Sequence, residues 1–552
     1  MKNKILHLFK NHYPLIAAIF FLWLIVICIL IFTLQLNDGH VVYTQDDPYI
    51  HMSIAKNFAQ TGVWGVNNNS FSFSSSSILW VCLLSLSDII FGINDASPLI
   101  LNIIFSTILI IVLYKFLKND LSKKVMLFAL ISFILFIPIP PIIFTGMEHI
   151  LQIILTILFA YFSANYISGL TSASSVESNK TQVKSTVIPR DLKIIMVIAP
   201  ILTMTRYEGL FLVAVVCVIL SFKRKPTVSV IIGLLGFLPV LLFGLISMSK
   251  GWNFLPNSIL LKGNMHDISS LTSIIHNYVV IAFHKYNKSK YLVLLLILAI
   301  TILVIQYKKE KSIKNRNGYI NLFFIFTTII HMEIADVGMF YRYEAYLVAL
   351  GIFTVLLSGK HITGLIFQHN LYRKFGKREI AFILCLIIIL YPFWKRTYQS
   401  YSTTPQATHN IYHQQYLMGK FLKEFYSNEV VAANDIGVIN YVSNIKCFDI
   451  WGVANLEICR LMMEHKYTSS ILNKLIYENK VKCAIVYDRW INEIGGIPVQ
   501  WFTAGRWKLL NNVVCGGDTV TFYAFDKQEL GKLKNRLELY SSKLPKDVVW
   551  LK

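Results

Sequence analysis

Charge is scarce in this chain. Of 552 residues, only 15% are Asp, Glu, Lys or Arg, while 55% are hydrophobic. A soluble protein carries about a quarter charged residues, so an ordinary solvent-borne globule is excluded. Acidic residues are the scarcer sign, 30 against 52 basic, giving a net charge of +22. The eight cysteines form no CxxC pair and no Cys/His metal spacing, which argues against a zinc ribbon or a dithiol redox centre. Phosphate loop, nucleophile elbow and HExxH are all missing. There is also no internal repeat of the kind that builds transporters. No small-residue cleavage site follows the first apolar run, which therefore reads as an uncleaved span.

What the chain does have is long apolar runs, such as Leu15–Leu36 and Leu99–Leu113. Runs of that length read as bilayer crossings. Eleven are expected, at about 14–36, 98–117, 124–140, 149–167, 192–205, 209–222, 227–248, 290–307, 319–332, 343–358 and 379–394. Ile78–Phe91 is apolar but short, and reads as a re-entrant or interfacial piece. With that segment kept from crossing, the inside segments hold twenty-four Lys and Arg and the outside loops between spans hold eight. This positive-inside bias places the N-terminus in the cytoplasm and the C-terminal region outside. Because the basic residues cluster between apolar runs, the charge is topogenic and nucleic acid is not a partner. The segment 168–190 is low in complexity and reads as a flexible linker.

The outside loops collect the unusual residues: Asp46, Asp47, His51, Glu148, Arg206, Glu208, Asn257, Lys262, Glu333, Asp336 and Arg342. Ionisable groups at membrane depth are costly and mark function by default. In the loop 37–97, Asp47 before Pro48 suits a helix N-cap. It equally suits a general base on a sugar hydroxyl or a ligand to a divalent metal. Asp46 has no capping role to explain it. Glu148 suits the start of a helix through the dipole or contact with a substrate hydroxyl. Arg206 either pairs with Glu208 or faces a phosphate. Lys262 either snorkels to the surface or meets a lipid phosphate, and Leu271–Phe283 reads as a second interfacial helix. Arg342, between Tyr341 and Tyr343, reads as a stacked cation suited either to phosphate or to a structural salt bridge. Cys447, Cys459, Cys483 and Cys515 are available to pair.

From about 395 the composition becomes that of a soluble domain. Tyr412–Phe425 reads as an amphipathic helix. EVVAAN, KCFDIW, KCAIVY and TVTFYAF read as strands, with helical patterns near 454–463 and 468–480. The alternation implies a small α/β domain. The chain thus divides into a transmembrane part, 1–395, and an extracytoplasmic α/β domain, 396–552.

Seven segments in this order resemble one branch of the GT-C glycosyltransferases, the terminal arabinofuranosyltransferases and their bacterial relatives. They are DDPYIHMSIAKNFAQTGVW (Asp46–Trp64), SSSSILWVCLL (Ser74–Leu84), TGMEHILQIIL (Thr145–Leu155), TRYEGLFL (Thr205–Leu212), GWNFLPNSILLKG (Gly251–Gly263), MFYRYEAYL (Met339–Leu347) and AANDIGVINYVSNIKCFDIWGVAN (Ala432–Asn455). The resemblance implies a multi-pass enzyme of a bacterial inner membrane. It implies a polyprenyl-phosphate-linked sugar donor and a glycan or glycolipid acceptor on the outer side. It implies inversion at the anomeric carbon, with an acidic residue of the first outside loop as base, here Asp46 or Asp47. In oligosaccharyltransferase relatives that residue binds metal, so a divalent cation on Asp47 stays open; no other cofactor is implied. Donor phosphate would lie among Arg206, Lys262 and Arg342. His51, Glu148, Glu208, Asn257 and Tyr341 would contact substrate. FYRYEAYL departs from the arabinosyltransferase pattern of a Gly-rich turn followed by Arg-Phe, and so leaves the sugar open. The competing expectations are a lipid-linked sugar flippase and a non-enzymatic envelope assembly protein.

Overall fold

The computed structural model describes residues 2–176, 188–262, 282–358 and 377–551, with side chains from 11–170, 188–261, 283–358 and 390–551. Ten of the eleven expected crossings lie on a single helix to within two residues; the third, 124–140, is split between Lys123–Phe136 and the short helix Ile139–Ile143. Among the described residues, five helices are long and apolar enough to cross a membrane: Asn11–Leu36, Ser97–Leu117, His149–Leu170, Pro226–Ser249 and Lys290–Glu310. At a rise of about 1.5 Å per residue, even a 21-residue helix spans the roughly 30 Å hydrocarbon layer. Their outward faces carry exposed apolar side chains, including Phe20, Leu24, Ile27 and Ile31 on the first and Leu234, Leu238, Leu242 and Leu245 on the fourth. An apolar surface of that extent requires lipid or a partner. His149–Leu170 is instead largely buried among the other helices, with Ile150, Ile153, Ile157 and Phe159 fully enclosed.

The loops sort to two opposite ends. At one end, Lys123 donates to Asn11, Arg316 reaches Asp120 and Tyr161, and Asn317 donates to the Leu357 carbonyl. At the other end, the loop 37–97 meets Thr145–Glu148, Gly251–Asn257 and the C-terminal domain. Ile78–Phe91 starts and finishes at this second end. Ser75, just before it, bonds His51, and Asp95, just after it, accepts from the Tyr43 hydroxyl at 2.6 Å. Gly146 is required at the same end. Its φ is +68°, and a Cβ there would sit 2.6 Å from the Tyr43 ring.

The C-terminal domain is a six-stranded mixed sheet in the order β2-β1-β3-β5-β4-β6. The strands are β1 (Val430–Ala433), β2 (Lys446–Asp449), β3 (Cys483–Val486), β4 (Phe502–Leu509), β5 (Thr519–Ala524) and β6 (Val548–Leu551). β2, β1 and β3 run parallel, with helices in the connections. β5, β4 and β6 are antiparallel. The sequence reading missed β4, where the ladder shifts register between Thr503 and Gly505, and the short edge strand β6. It also missed the helices Gly437–Val442 and Lys527–Ser541.

One continuous helix, Lys377–Ile411, crosses the expected boundary at 395, and a π-helical turn, Tyr412–Tyr416, extends it into the sheet domain. Helix His149–Val176 runs into the expected linker, whose residues 177–187 lie outside the described residues. The expected interfacial helix at 271–283 also lies outside them, up to residue 281. Cys447, Cys459, Cys483 and Cys515 form no disulfide. Cys447 and Cys483 are the inward residues of β2 and β3 and pack the sheet core.

Candidate functional site

Where the membrane helices meet the sheet domain, a cavity of about 440 Å³ opens. Six residues singled out in the sequence line it: Asp47, His51, Arg206, Glu208, Asp336 and Arg342. The sheet domain contributes Asn434, Asp435, Trp451 and Trp490. Trp451 and Trp490 lie with ring centroids 5.0 Å apart.

The two adjacent aspartates have different surroundings. Asp47 is the first residue of helix Asp47–Thr61, not its cap; Asp46 holds the cap position but makes no side-chain cap bond. Asp46 instead points to the sheet domain. Its Oδ2 accepts from the Gly437 N–H at 2.6 Å and its Oδ1 from the Val438 N–H at 2.7 Å. These are first-turn amides of the helix Gly437–Val442, which point outward and favour negative charge. Gly437 is there because nothing larger fits: a Cβ would lie 2.1 Å from the Asp46 carbonyl oxygen.

Asp435 adjoins Asp46. It accepts from Gln415 at 2.8 Å, and Tyr487 stands 3.4 Å away. Burial, followed by the neighbouring carboxyl, pushes Asp46 well above the usual carboxylate range; burial also pushes Asp435 up. Two buried carboxyls in contact share a proton and titrate as a pair.

Asp47 faces the cavity, 28% exposed, and forms an ion pair with Arg342. Arg342 is buried, and its Nε has no hydrogen-bond partner. Its Nη1 touches the Met147 sulfur, a weak acceptor. Its guanidinium therefore has donors left for an anion. Arg206 is differently occupied: it donates to Glu208 at 2.6 and 3.0 Å and to Glu148 at 3.0 Å. The pairing of Arg206 with Glu208, one of the two expected readings, is present, and Glu148 completes a buried triad.

An unusual backbone carries Arg342. Gly338, Met339, Phe340 and Tyr341 all have positive φ, from 40° to 94°. Three of them are not glycine, and each left-handed residue costs on the order of 1–2 kcal/mol. Buried Glu344 holds this turn. It accepts from the Gly338 N–H at 2.7 Å, the Tyr291 hydroxyl at 2.6 Å and Arg396 at 2.8 Å. Arg396 also donates to the Tyr341 carbonyl at 2.7 Å.

The remaining sequence candidates sit around the cavity. His51 Nδ1 bonds Ser75 Oγ at 3.1 Å, and burial lowers its basicity. Asn257 is buried and donates to the Gly452 carbonyl at 2.9 Å, clasping the sheet domain. Tyr341 acts through its carbonyl and lies beneath Arg396. The side chain of Lys262 lies outside the described residues. Sequence reasoning passed over Asp435, which stands in an Asn-Asp-Ile-Gly run directly after a strand. It also passed over Arg396, buried within a long helix.

A divalent ion does not fit the described donors here. Both Asp46 oxygens and both Glu208 oxygens are engaged, Asp47 is paired, and no three His, Cys, Asp or Glu ligand atoms converge in this cavity.

No curated protein matches this sequence. The profile of a domain of unknown function, DUF8728, matches residues 409–523, within the sheet domain. Among solved structures, the fold is similar to the Archaeoglobus fulgidus oligosaccharyltransferase in its apo form (TM-score 0.50, 10% identity, covering 97% of this chain and 78% of that one). It is also similar to ArnT from Cupriavidus metallidurans bound to undecaprenyl phosphate (TM-score 0.50, 11% identity, covering 92% and 98%). Both are GT-C glycosyltransferases, and the expected GT-C fold is the fold of this chain. Neither neighbour belongs to the arabinofuranosyltransferase-like branch that the motifs resemble.

Proposed function

We propose that the chain transfers a sugar from a polyprenyl-phosphate donor to a cell-envelope glycan or glycolipid. The observation that carries this reading is the Asp47–Arg342 pair, which faces a cavity where membrane helices meet the sheet domain. The likeness to ArnT bound to undecaprenyl phosphate supports the same donor class. The positive-inside bias supports a site on the outer face of a bacterial inner membrane, with eleven crossings and the sheet domain outside.

In this reading, the donor lipid lies between helices and its phosphate enters beside Arg342. The guanidinium turns from Asp47 to the phosphate oxygens, using its open Nε. Asp47 then takes the proton from an acceptor hydroxyl. That oxygen attacks the anomeric carbon from the face opposite the phosphate, and a new glycosidic bond forms with inversion. The bond to phosphate oxygen breaks, and its electron pair leaves on the lipid phosphate, where Arg342 offsets the charge. Electrostatic stabilisation of a leaving group of this kind is a large catalytic term. Asp46 acts as a positioning residue: with both oxygens bonded to the sheet domain, it fixes the corner that presents Asp47. Trp451 and Trp490 offer flat apolar faces for an acceptor sugar ring. Arg206, neutralised by Glu148 and Glu208, shapes the cavity and leaves the phosphate to Arg342 and Lys262. Glu208 and His51 offer hydrogen bonds to sugar hydroxyls.

The test is transfer by the purified chain in lipid nanodiscs. A panel of polyprenyl-phosphate sugars serves as donors, with bacterial envelope glycolipid as acceptor. Release of lipid phosphate together with a new glycolipid supports the reading. Donor movement across a vesicle bilayer without transfer would replace it with a flippase.

A further inference from the structure

We propose a zinc-binding site formed by His409, His413 and Asp547, on the sheet-domain side and apart from the cavity. His409 lies in the last turn of the long helix Lys377–Ile411, His413 lies four residues on in the π-helical turn, and Asp547 immediately precedes β6. One ligand atom from each residue lies within 4.8 Å of the other two. Two histidines at i and i+4 share a helix face, an arrangement that suits a metal. Single π-helical turns recur at functional sites because they re-aim side chains.

The hydrogen bonding sets up an unsatisfied arrangement that a metal would resolve. His409 Nδ1 lies 3.0 Å from the Leu36 carbonyl, which can only accept, so Nδ1 carries the proton. In the neutral ring, Nε2 then presents a lone pair, yet it faces Asp547 Oδ2 at 3.1 Å. Two acceptors face each other, so a cation belongs between them. A proton on His409 would serve one of these contacts but would leave the second ring unserved. The His413 ring centroid lies 3.9 Å from that of His409, and its Nδ1 is buried without a partner, on a residue only 5% exposed.

Two imidazoles and a carboxylate suit zinc, with a fourth position open to water. Zinc holds such ligands at about 2.0–2.2 Å, so closing the trio needs side-chain shifts of under about an ångström. The Nδ1–H to backbone carbonyl bond is the usual means of orienting a ligating histidine. The ion would tie together the end of the first helix, through Leu36, the long helix and the C-terminal strand.

The full chain in detergent, stripped with chelator, is exposed to Zn²⁺ alone, desalted, and its metal content measured. One zinc per chain is expected, together with a rise in melting temperature. Co²⁺ in its place should give the intense visible bands of a four-coordinate site. His409→Ala and His413→Ala should abolish loading. Asp547→Asn, on a 61% exposed side chain that tolerates change, should weaken it at least on the order of 10–100-fold, since even outer-shell changes cost that much. A wild-type chain that takes up no zinc overturns the proposal, as does a zinc load unchanged in Asp547→Asn and the histidine variants. Mg²⁺ bound as well as Zn²⁺ overturns the nitrogen-rich assignment.

Discussion

Replacing Gly437 by Ala probes how the sheet domain is docked to the loop that carries Asp46 and Asp47. The added Cβ would lie 2.1 Å from the Asp46 carbonyl oxygen and 2.7 Å from its Oδ2. The first of these is backbone, so the helix Gly437–Val442 must move away from Asp46. Two hydrogen bonds, at 2.6 and 2.7 Å, are then stretched or lost. Hydrogen bonds contribute about 0.5–1.5 kcal/mol each, and overpacking costs about 1–3 kcal/mol more. The expected loss of docking stability is therefore about 2 kcal/mol or more, roughly thirtyfold in the docked population. Gly531, in the exposed helix Lys527–Ser541, is the control. A Cβ there meets nothing within 4 Å, so Gly531→Ala should be neutral or stabilising by up to about 1 kcal/mol. Thermal melting and limited proteolysis at the junction read both variants, and sugar transfer reads the consequence. If Gly437→Ala melts and transfers like the parent, the docking argument is wrong.

Three further outcomes follow from the geometry. Arg342→Lys keeps the charge but loses the planar fork; the donor KM should rise about 10–100-fold, from one charged hydrogen bond lost, and an unchanged KM would remove Arg342 from the phosphate. Arg396→Met strands Glu344 in a buried setting, and breaking such a pair costs about 3–5 kcal/mol; the melting temperature should fall and the donor KM rise together, whereas a fall in melting alone would limit Arg396 to a structural role. The Asp46–Asp435 pair has folded-state pKa values raised above the ordinary 3.8. It therefore binds more protons folded than unfolded. Its stabilising contribution is complete below the unfolded carboxylate range and is lost as pH rises through the raised values. Asp435→Asn should flatten that dependence and raise the melting temperature more at pH 8 than at pH 5; an unaltered slope would show that the pair is not coupled.

Much of the fold was legible because lipid imposes a simple code. Apolar runs such as Leu15–Leu36 and the Lys and Arg between them identify helices and sort loops without any tertiary information. The sheet was half legible: strands such as Cys483–Val486 are continuous apolar runs, but Phe502–Leu509 is broken by Gly505 and carries charge on its exposed face. In the site, Asp47 and Arg342 stood out as charges among apolar neighbours. Their pairing did not, since 295 residues separate them. The division of labour between Asp46 and Asp47 was also hidden, because it depends on amides supplied by Gly437 and Val438. Arg396 and the left-handed turn at Gly338–Tyr341 escaped notice because nothing in a run of ordinary residues signals positive φ. The histidines at 409 and 413 were passed over because the third member, Asp547, lies far along the chain.

The most direct test of the central claim compares Asp47→Asn with the parent enzyme, both correctly inserted, in single-turnover transfer from a polyprenyl-phosphate sugar. Donor binding should persist while the transfer rate falls about 10²–10⁴-fold, the usual contribution of a general base. Transfer at the parental rate by Asp47→Asn would contradict the assignment of Asp47 as the base and the mechanism built on it.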